Sequence, residues 1–451
     1  MPTLPPAYLG LDVGTTATKA IAFGADGDLL AEGRGTYVLH HPAPGAAIQH
    51  ADEVLRAAED ALKEAYAAVK GEYDVRSITI SCAMHAVILT DGKGNYSPVY
   101  TWADTRSAGQ AEQLTDEQSH DFHRRTGTPV HPMSPLLTLP WLRDATPDGP
   151  LDDYVQWHDL KGLFTGAWTE EGPVIDYQLA SATGLYDLSA EDWLPAALTF
   201  ALGENPALQN PRIVDPRERL TWREDVRGRL FGGADIPLFA GGSDGVLANL
   251  GSGILEPGNV AVTIGTSGAI RTTHRQAEVN PAHGLFNYRM LDDRYVVGGA
   301  TNNGGKVIEY WQNLLSGHYA DIPALLEAAL DLPDDEDLPT FSPYLYGERA
   351  PIYDAAATAG LHCLRGHHDA RHVARAVLEG VTGNLVAILS ALEEVTGPAQ
   401  NLLASGGWTR SERWVDLLGR RAGRPIRVVD TPQASAYGAA LIGKMALGED
   451  S

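Results

Sequence analysis

The sequence predicts an α/β protein built from two related domains that face one ligand. Three observations carry this. At 451 residues, with 44% hydrophobic and 20% charged positions, the chain can fill two or three cores and lacks the composition of a disordered segment. A strand, a Gly-Thr turn and a second strand occur at Gly14 and recur at Gly265, at the start of the second half. Amphipathic helical patterns follow each of these units.

The elements follow in order. Tyr8-Leu-Gly-Leu-Asp12 is an apolar strand ending in an acid, residues 13–16 form a tight turn, and 18–23 form a second strand. Asp26-Gly27 signals a hairpin into a third strand from Leu29. This start excludes a βαβ dinucleotide fold, which needs a helix directly after its first glycine turn. A helix spans 52–69, with Leu55, Ala58, Leu62, Ala65 and Val69 on one face and Gly71 as its stop. Met84-His85 ends a strand over 77–82, and Trp102-Ala-Asp104-Thr-Arg106 follows another near Val99. The domain boundary falls in the glycine-rich stretch 241–258. Beyond it, strands 259–264 and 269–273 flank Gly265-Thr-Ser-Gly268. Asp369 caps a helix reaching about Val395, with Val373, Val377, Val381, Leu385, Ile388 and Leu392 facing inward. Ser411 caps a shorter helix, 425–429 is a strand, and 434–445 a last helix of small residues. The acidic stretch 331–337 reads as a solvated loop.

Charge removes several function classes. Lys and Arg number 34 against 58 Asp and Glu, a net charge of −24, so the surface repels phosphate backbones and general nucleic-acid binding is not expected. No apolar run approaches the roughly 18 residues that span a bilayer, and the opening Met1-Pro-Thr-Leu-Pro-Pro6 lacks a basic signal-peptide region. Two cysteines, Cys82 and Cys363, cannot build a disulfide framework or a four-thiolate metal site. The chain reads as a soluble cytoplasmic protein.

Chemistry concentrates at turns. In the paired hairpins, backbone N–H groups and the hydroxyls of Thr15, Thr16 and Thr266 form concave donor sites for phosphate oxygens. Gly14 and Gly265 let the backbone approach, Asp12 could hold Mg²⁺, and Lys19 adds a positive charge. Ser405-Gly406-Gly407 is a strand-to-helix glycine turn suited to a base or ribose. A Walker A loop is absent, since Val307 follows Gly304-Gly305-Lys306. Gly241-Gly-Ser243-Asp244-Gly245 fits two mechanisms. It matches a hydrolase elbow with Ser243 as nucleophile and His274, His283 or His318 as partner. Alternatively Asp244 is a general base that accepts a hydroxyl proton during phosphoryl transfer. The phosphate hairpins favour Asp244. Met84, His85, Trp102, Asp104 and Arg106 suit polyol recognition, although Asp104 and Arg106 also suit a local pair. His367, His368 and His372 lack an evident further metal ligand.

Together, Asp12-Val-Gly-Thr-Thr16, Gly265-Thr266, Gly-Gly-Ser-Asp244 and Ser405-Gly-Gly407 resemble the FGGY carbohydrate kinases, from about Tyr8 to Leu447. The resemblance implies two ribonuclease-H-like domains of the actin and hexokinase type, 1–245 and 246–451, with ATP, Mg²⁺ and a sugar in the cleft between them. It implies Asp12 as the metal-associated acid, Gly14, Thr15 and Thr16 as the first phosphate loop, and Gly265 and Thr266 as the second. It further implies Asp244 as the base and Gly305, Gly406 and Gly407 at the nucleotide. Ser411 stands where glycerol kinases carry a nucleotide-contacting Asn. Met84-His85, Trp102–Arg106, residues 126–135 and Tyr344-Leu-Tyr-Gly-Glu-Arg-Ala-Pro351 are together most similar to gluconokinases; xylulokinase or another polyol kinase is the alternative. A homodimer is compatible with this reading. Gluconate and ATP are both anions, so the cleft must supply local positive charge. Arg106 is the first candidate for the substrate carboxylate and His85 the second.

Overall fold

The computed structural model describes residues 4–144, 153–203, 208–429 and 433–449; Met1, Pro2 and Thr3 of the opening stretch lie outside them. Two six-stranded sheets repeat one plan. In the first, the order is Arg219–Leu220, Leu238–Ser243, Asp74–Cys82, Pro6–Val13, Ala17–Gly24 and Leu29–Thr36. In the second it is Phe286–Arg289, Tyr295–Thr301, Gly268–His274, Asn259–Ile264, Asn401–Ser405 and Ile426–Val428. In each, a first strand pairs antiparallel with its hairpin partner on one side and parallel with a later strand on the other. Parallel pairing lets helices cover both faces, which explains the apolar run Tyr8 to Leu11. Register then puts Asp12 opposite Lys19 on one side and Ser81 on the other.

Covering helices reach the sheets through small residues. Ala51–Val69 buries Val54, Ala58, Leu62, Ala65 and Val69, while Leu55 is only partly buried. The last helix, Ala434–Ala446, lies on the first sheet. A Cβ on Gly10 would stand 1.9 Å from Ala436 O, so only glycine permits that approach. Its Gly438 packs equally closely on Leu247 of helix Asp244–Gly251. Beside these helices, Val246, Leu250, Phe286, Tyr288, Met290 and Ile442 share one apolar cluster that joins the two halves.

Helix Ala370–Thr396 corrects one expectation, since its length and composition would suffice to cross a membrane. Its Val377, Val381, Leu385, Ile388 and Leu392 instead form the centre of the second core. Asp369 accepts hydrogen bonds from the N–H groups of Arg371 and His372, as its capping role requires. The acidic stretch is also more than a solvated loop: Asp334 pairs with the buried Arg375, and Asp337 with Arg365.

Candidate active site

Asp244 owes its position to a break in a strand. Leu238–Ser243 runs beside Asp74–Cys82, but the register shifts between Phe239 and Gly242. Gly241 takes φ 71°, and a Cβ there would lie 2.0 Å from Ile80 O. Lys161, fully buried, donates to Ile80 O at 2.7 Å and to Ala240 O, and it pairs with the buried Asp176 at 3.5 Å. The chain then turns into helix Asp244–Gly251, with Asp244 in its first turn. Gly245 N–H donates to Asp244 Oδ1 at 2.7 Å. Burial pushes the Asp244 carboxyl up to about 7; the charge of Asp12 adds to the rise, and Gly245 N–H and Arg271 oppose it. That suits a base working near neutral pH.

The same turn rejects a serine nucleophile. Ser243 is completely buried, and its Oγ accepts from Val246 N–H at 3.3 Å as the helix cap. His274 is bonded to Asn287 and His283 is paired with Glu394, so neither serves Ser243.

At the first hairpin, Ser81 Oγ donates to Asp12 Oδ1 at 2.9 Å. Burial raises the Asp12 carboxyl above its ordinary range, against the pull of Ser81 and Lys19. Gly14 O accepts from Tyr37 Oη at 2.6 Å, and Thr15 Oγ1 accepts from Trp102 Nε1 at 3.0 Å. Thr16 is exposed at the tip. Lys19 Nζ donates to Gln433 at 3.1 Å, which ties its charge to the start of the last helix.

Between the halves lies a cavity of about 260 Å³. Thr15, Met84, His85, Trp102 and Asp244 line it from one side, and Ser267, Arg271, Tyr288 and Arg349 from the other. His85 Nδ1 bonds Ala182 O at 2.7 Å, and burial pulls its imidazole down to about 4, so the ring is neutral at pH 7. Asp104 and Arg106 correct the sequence expectation, because they do not line this cavity. The Arg106 guanidinium forks onto Asp104 at 3.0 and 2.7 Å and lies 4.5 Å from the Trp141 ring centre. Asp104 also accepts from Ala47 N–H at 3.1 Å. The pair braces the loop that carries Trp102.

A second cavity, about 510 Å³, opens beside the second hairpin. Gly265, Thr266, Gly305, Gly407 and Ser411 line it, and Ile308, Leu326, Trp408 and Trp414 supply apolar walls. Gly305 N–H donates to Gly265 O at 2.8 Å, which sets a helix start behind the turn. Gly406 does not line the cavity. It takes φ 99° under the turn, where a Cβ would stand 2.7 Å from Ile264 O. Ser411 caps the helix that begins at Glu412.

Sequence reasoning missed Arg271, Arg349, Lys306 and Trp408 at these cavities. Arg271 interrupts an otherwise neutral strand, which was a usable signal; Arg349 lies in the Tyr344–Pro351 motif without an assigned role. Elsewhere, Asp337 joins His367 and His368 as a third potential ligand. Arg365 Nη1 holds the same Asp337 oxygen at 2.8 Å, which makes this an ion-pair cluster.

Residues 7–251 match the model "FGGY family of carbohydrate kinases, N-terminal domain", and residues 260–447 match its C-terminal counterpart. The gluconokinase of Bacillus subtilis (strain 168) is 32% identical over 98% of this chain and 88% of that protein. Among solved structures, gluconate kinase from Lactobacillus acidophilus superposes with a TM-score of 0.92 at 28% identity, covering 98% of this chain and 90% of that one. Ligand-bound xylulose kinase from the same organism gives 0.91 at 28%, with the same coverage. With both family domains matched in order and the two-sheet plan shared, the chain belongs to the FGGY family of carbohydrate kinases.

Proposed function

We propose that this kinase transfers the γ-phosphoryl group of ATP to the terminal hydroxyl of an open-chain sugar acid, D-gluconate, giving 6-phosphogluconate and ADP. The observation that carries the reading is Asp244: a half-buried carboxylate titrating near 7, in a small cavity between two phosphate-type turns. Its carboxylate takes the hydroxyl proton as that oxygen bonds to the γ-phosphorus and the bond to ADP breaks. Residues 1–245 carry the base and one wall of the sugar cavity, and residues 246–451 carry the nucleotide side and the facing wall with Arg271, Tyr288 and Arg349. Thr266, Gly305 and Gly407 hold ATP, with Trp408 and Ile308 as its apolar surroundings. Mg²⁺, when bound, neutralises phosphate charge. Asp12 would hold it, because two carboxylates that burial pushes upward, with the Asp12 charge adding to the rise at Asp244, make a donor set for a cation.

Gluconate is favoured over xylulose by the 32% identity to a gluconokinase against 24% to the xylulose kinase of Staphylococcus xylosus. Arginines in the cavity wall agree with an acidic substrate. A coupled assay of ADP release with gluconate, xylulose, glycerol, ribulose and erythritol tests this. Gluconate should give the highest kcat/KM. A preference for xylulose would replace the substrate and leave Asp244 as the base.

A further inference from the structure

We infer that Arg349 determines specificity for the acid: its guanidinium receives the substrate carboxylate in the cavity that Asp244 also lines. The inference rests on the sugar-acid reading above and names the residue that recognises the acid.

Arg349 lines the cavity, yet no carboxylate among the described residues is hydrogen-bonded to its side chain. Its Nη2 donates only to Thr301 O, at 3.3 Å, and its Nε is buried without a partner. The neighbouring acid, Glu348, is fully buried and otherwise engaged. It accepts from Thr301 Oγ1 at 2.6 Å, Asn302 N–H at 2.9 Å, Asn384 Nδ2 at 2.9 Å and Arg349's own backbone N–H at 2.7 Å. Lys306 is a further cation on which the Arg349 charge acts, and Glu348 attracts the guanidinium without a hydrogen bond to it. Trp102 lies 5.3 Å from the guanidinium, and burial together with the Arg349 charge pulls His85 to about 4 and His131 to about 3. A desolvated guanidinium with an unpartnered Nε and no hydrogen-bonded carboxylate is unfavourable, and a ligand carboxylate would relieve that cost. Arg106 shows the contrast, because Asp104 already occupies its fork.

Arg271 differs from both. Its positive charge acts on Asp244, so it belongs to the reacting end. With the terminal hydroxyl at Asp244, the opposite end of an extended sugar acid carries the carboxylate, and Arg349 is the cavity cation whose Nε has no partner and whose side chain bonds no carboxylate among the described residues.

The test compares Arg349→Gln and Arg349→Lys with the wild type, using gluconate and the neutral polyol glucitol, the latter as substrate or as competitive inhibitor. Losing a charge-assisted hydrogen bond should lower kcat/KM for gluconate by about 10–150-fold in Arg349→Gln. The loss should fall mainly on KM, with glucitol little changed and the pH profile of kcat retained. Arg349→Lys keeps the charge without the fork and should show a smaller drop in the same acid-to-neutral ratio. It carries the test alone if thermal unfolding shows the Gln variant to be misfolded. An unchanged ratio in a folded variant of a gluconate-preferring enzyme overturns the inference alone. A wild type that does not prefer gluconate overturns the parent reading, and the inference with it.

Discussion

The two Gly-Thr hairpins occupy the same place in their sheets, yet their surroundings differ. In the first, only Thr16 at the tip is exposed: Tyr37 bonds Gly14 O, and both Trp102 and Gln49 bond Thr15. At the second, Gly265 and Thr266 are exposed, backed by the start of helix Gly305–Leu314. A repeated backbone plan therefore provides two donor turns, and the inserted segments around each turn decide what reaches it. Around the first, Met84–His85 and the Trp102 loop leave a small space of mixed polar and apolar lining; around the second, Trp408, Trp414 and Ile308 leave a larger, mainly apolar one.

The sharpest way to break this division is Asp244→Asn, which should lower kcat by about 10²–10⁴ while ATP binding persists. Asn can still accept from Gly245 N–H, so the turn should hold. Wild-type turnover in a folded variant would remove Asp244 from the chemistry.

Next in size is the pH dependence. As the proposed base, Asp244 would act when ionised, and burial raises its folded pKa to about 7. Below that value kcat should fall about tenfold per unit, and above it level off. Linkage gives a second consequence. A carboxyl raised in the folded state stabilises the protein below its unfolded value near 3.8, and this contribution is lost as pH rises through about 7. Asp244→Asn should therefore be more stable than the wild type at pH 8, by about 1–2 kcal/mol after allowing for residual solvent access. Equal melting temperatures at pH 8 would mean that Asp244 is not desolvated as described.

The hairpins themselves can be compared by parallel changes. Thr266→Val should raise KM for ATP by about 2–10-fold, the worth of one hydrogen bond, and leave the sugar KM alone. Thr15→Val also strips the acceptor from Trp102, so it should raise the sugar KM as well. If both variants affected only the sugar, the nucleotide would not lie at the second hairpin.

Much of the fold was legible because its signals are local. Glycine turns between apolar strands, the Asp26-Gly27 hairpin and the Asp369 cap each declare themselves within a few residues. The placement of Asp12, Thr266 and Asp244 at or beside turns was legible because a motif fixes each turn. The site was not legible where tertiary placement decides the partner. Arg106 and Arg349 are each near an acid in sequence, but Asp104 folds back onto Arg106, whereas Glu348 turns away into an Asn and Thr network. Spacing cannot distinguish those outcomes. The strand leading to Asp244 runs into the glycine-rich stretch 241–258, where sequence alone places a domain boundary. Pairing of Gly242 and Ser243 with Ser81 and Cys82 carries it to the turn, and the buried Lys161 that holds the bulge has no local signature.

The smallest effect is expected at Ser243, and it separates the two mechanisms that share this turn. Its Oγ caps helix Asp244–Gly251 by accepting from Val246 N–H. Ser243→Ala should therefore cost about 0.5–2 kcal/mol of stability. Sugar phosphorylation should fall far less than in Asp244→Asn, because alanine removes a cap and leaves the base in place. An elbow nucleophile would behave in the opposite way: ester hydrolysis would vanish with the hydroxyl while folding stayed nearly unchanged. Thermal unfolding and turnover measured on the same preparation decide between them, since a cap acts mainly on stability and a nucleophile mainly on rate.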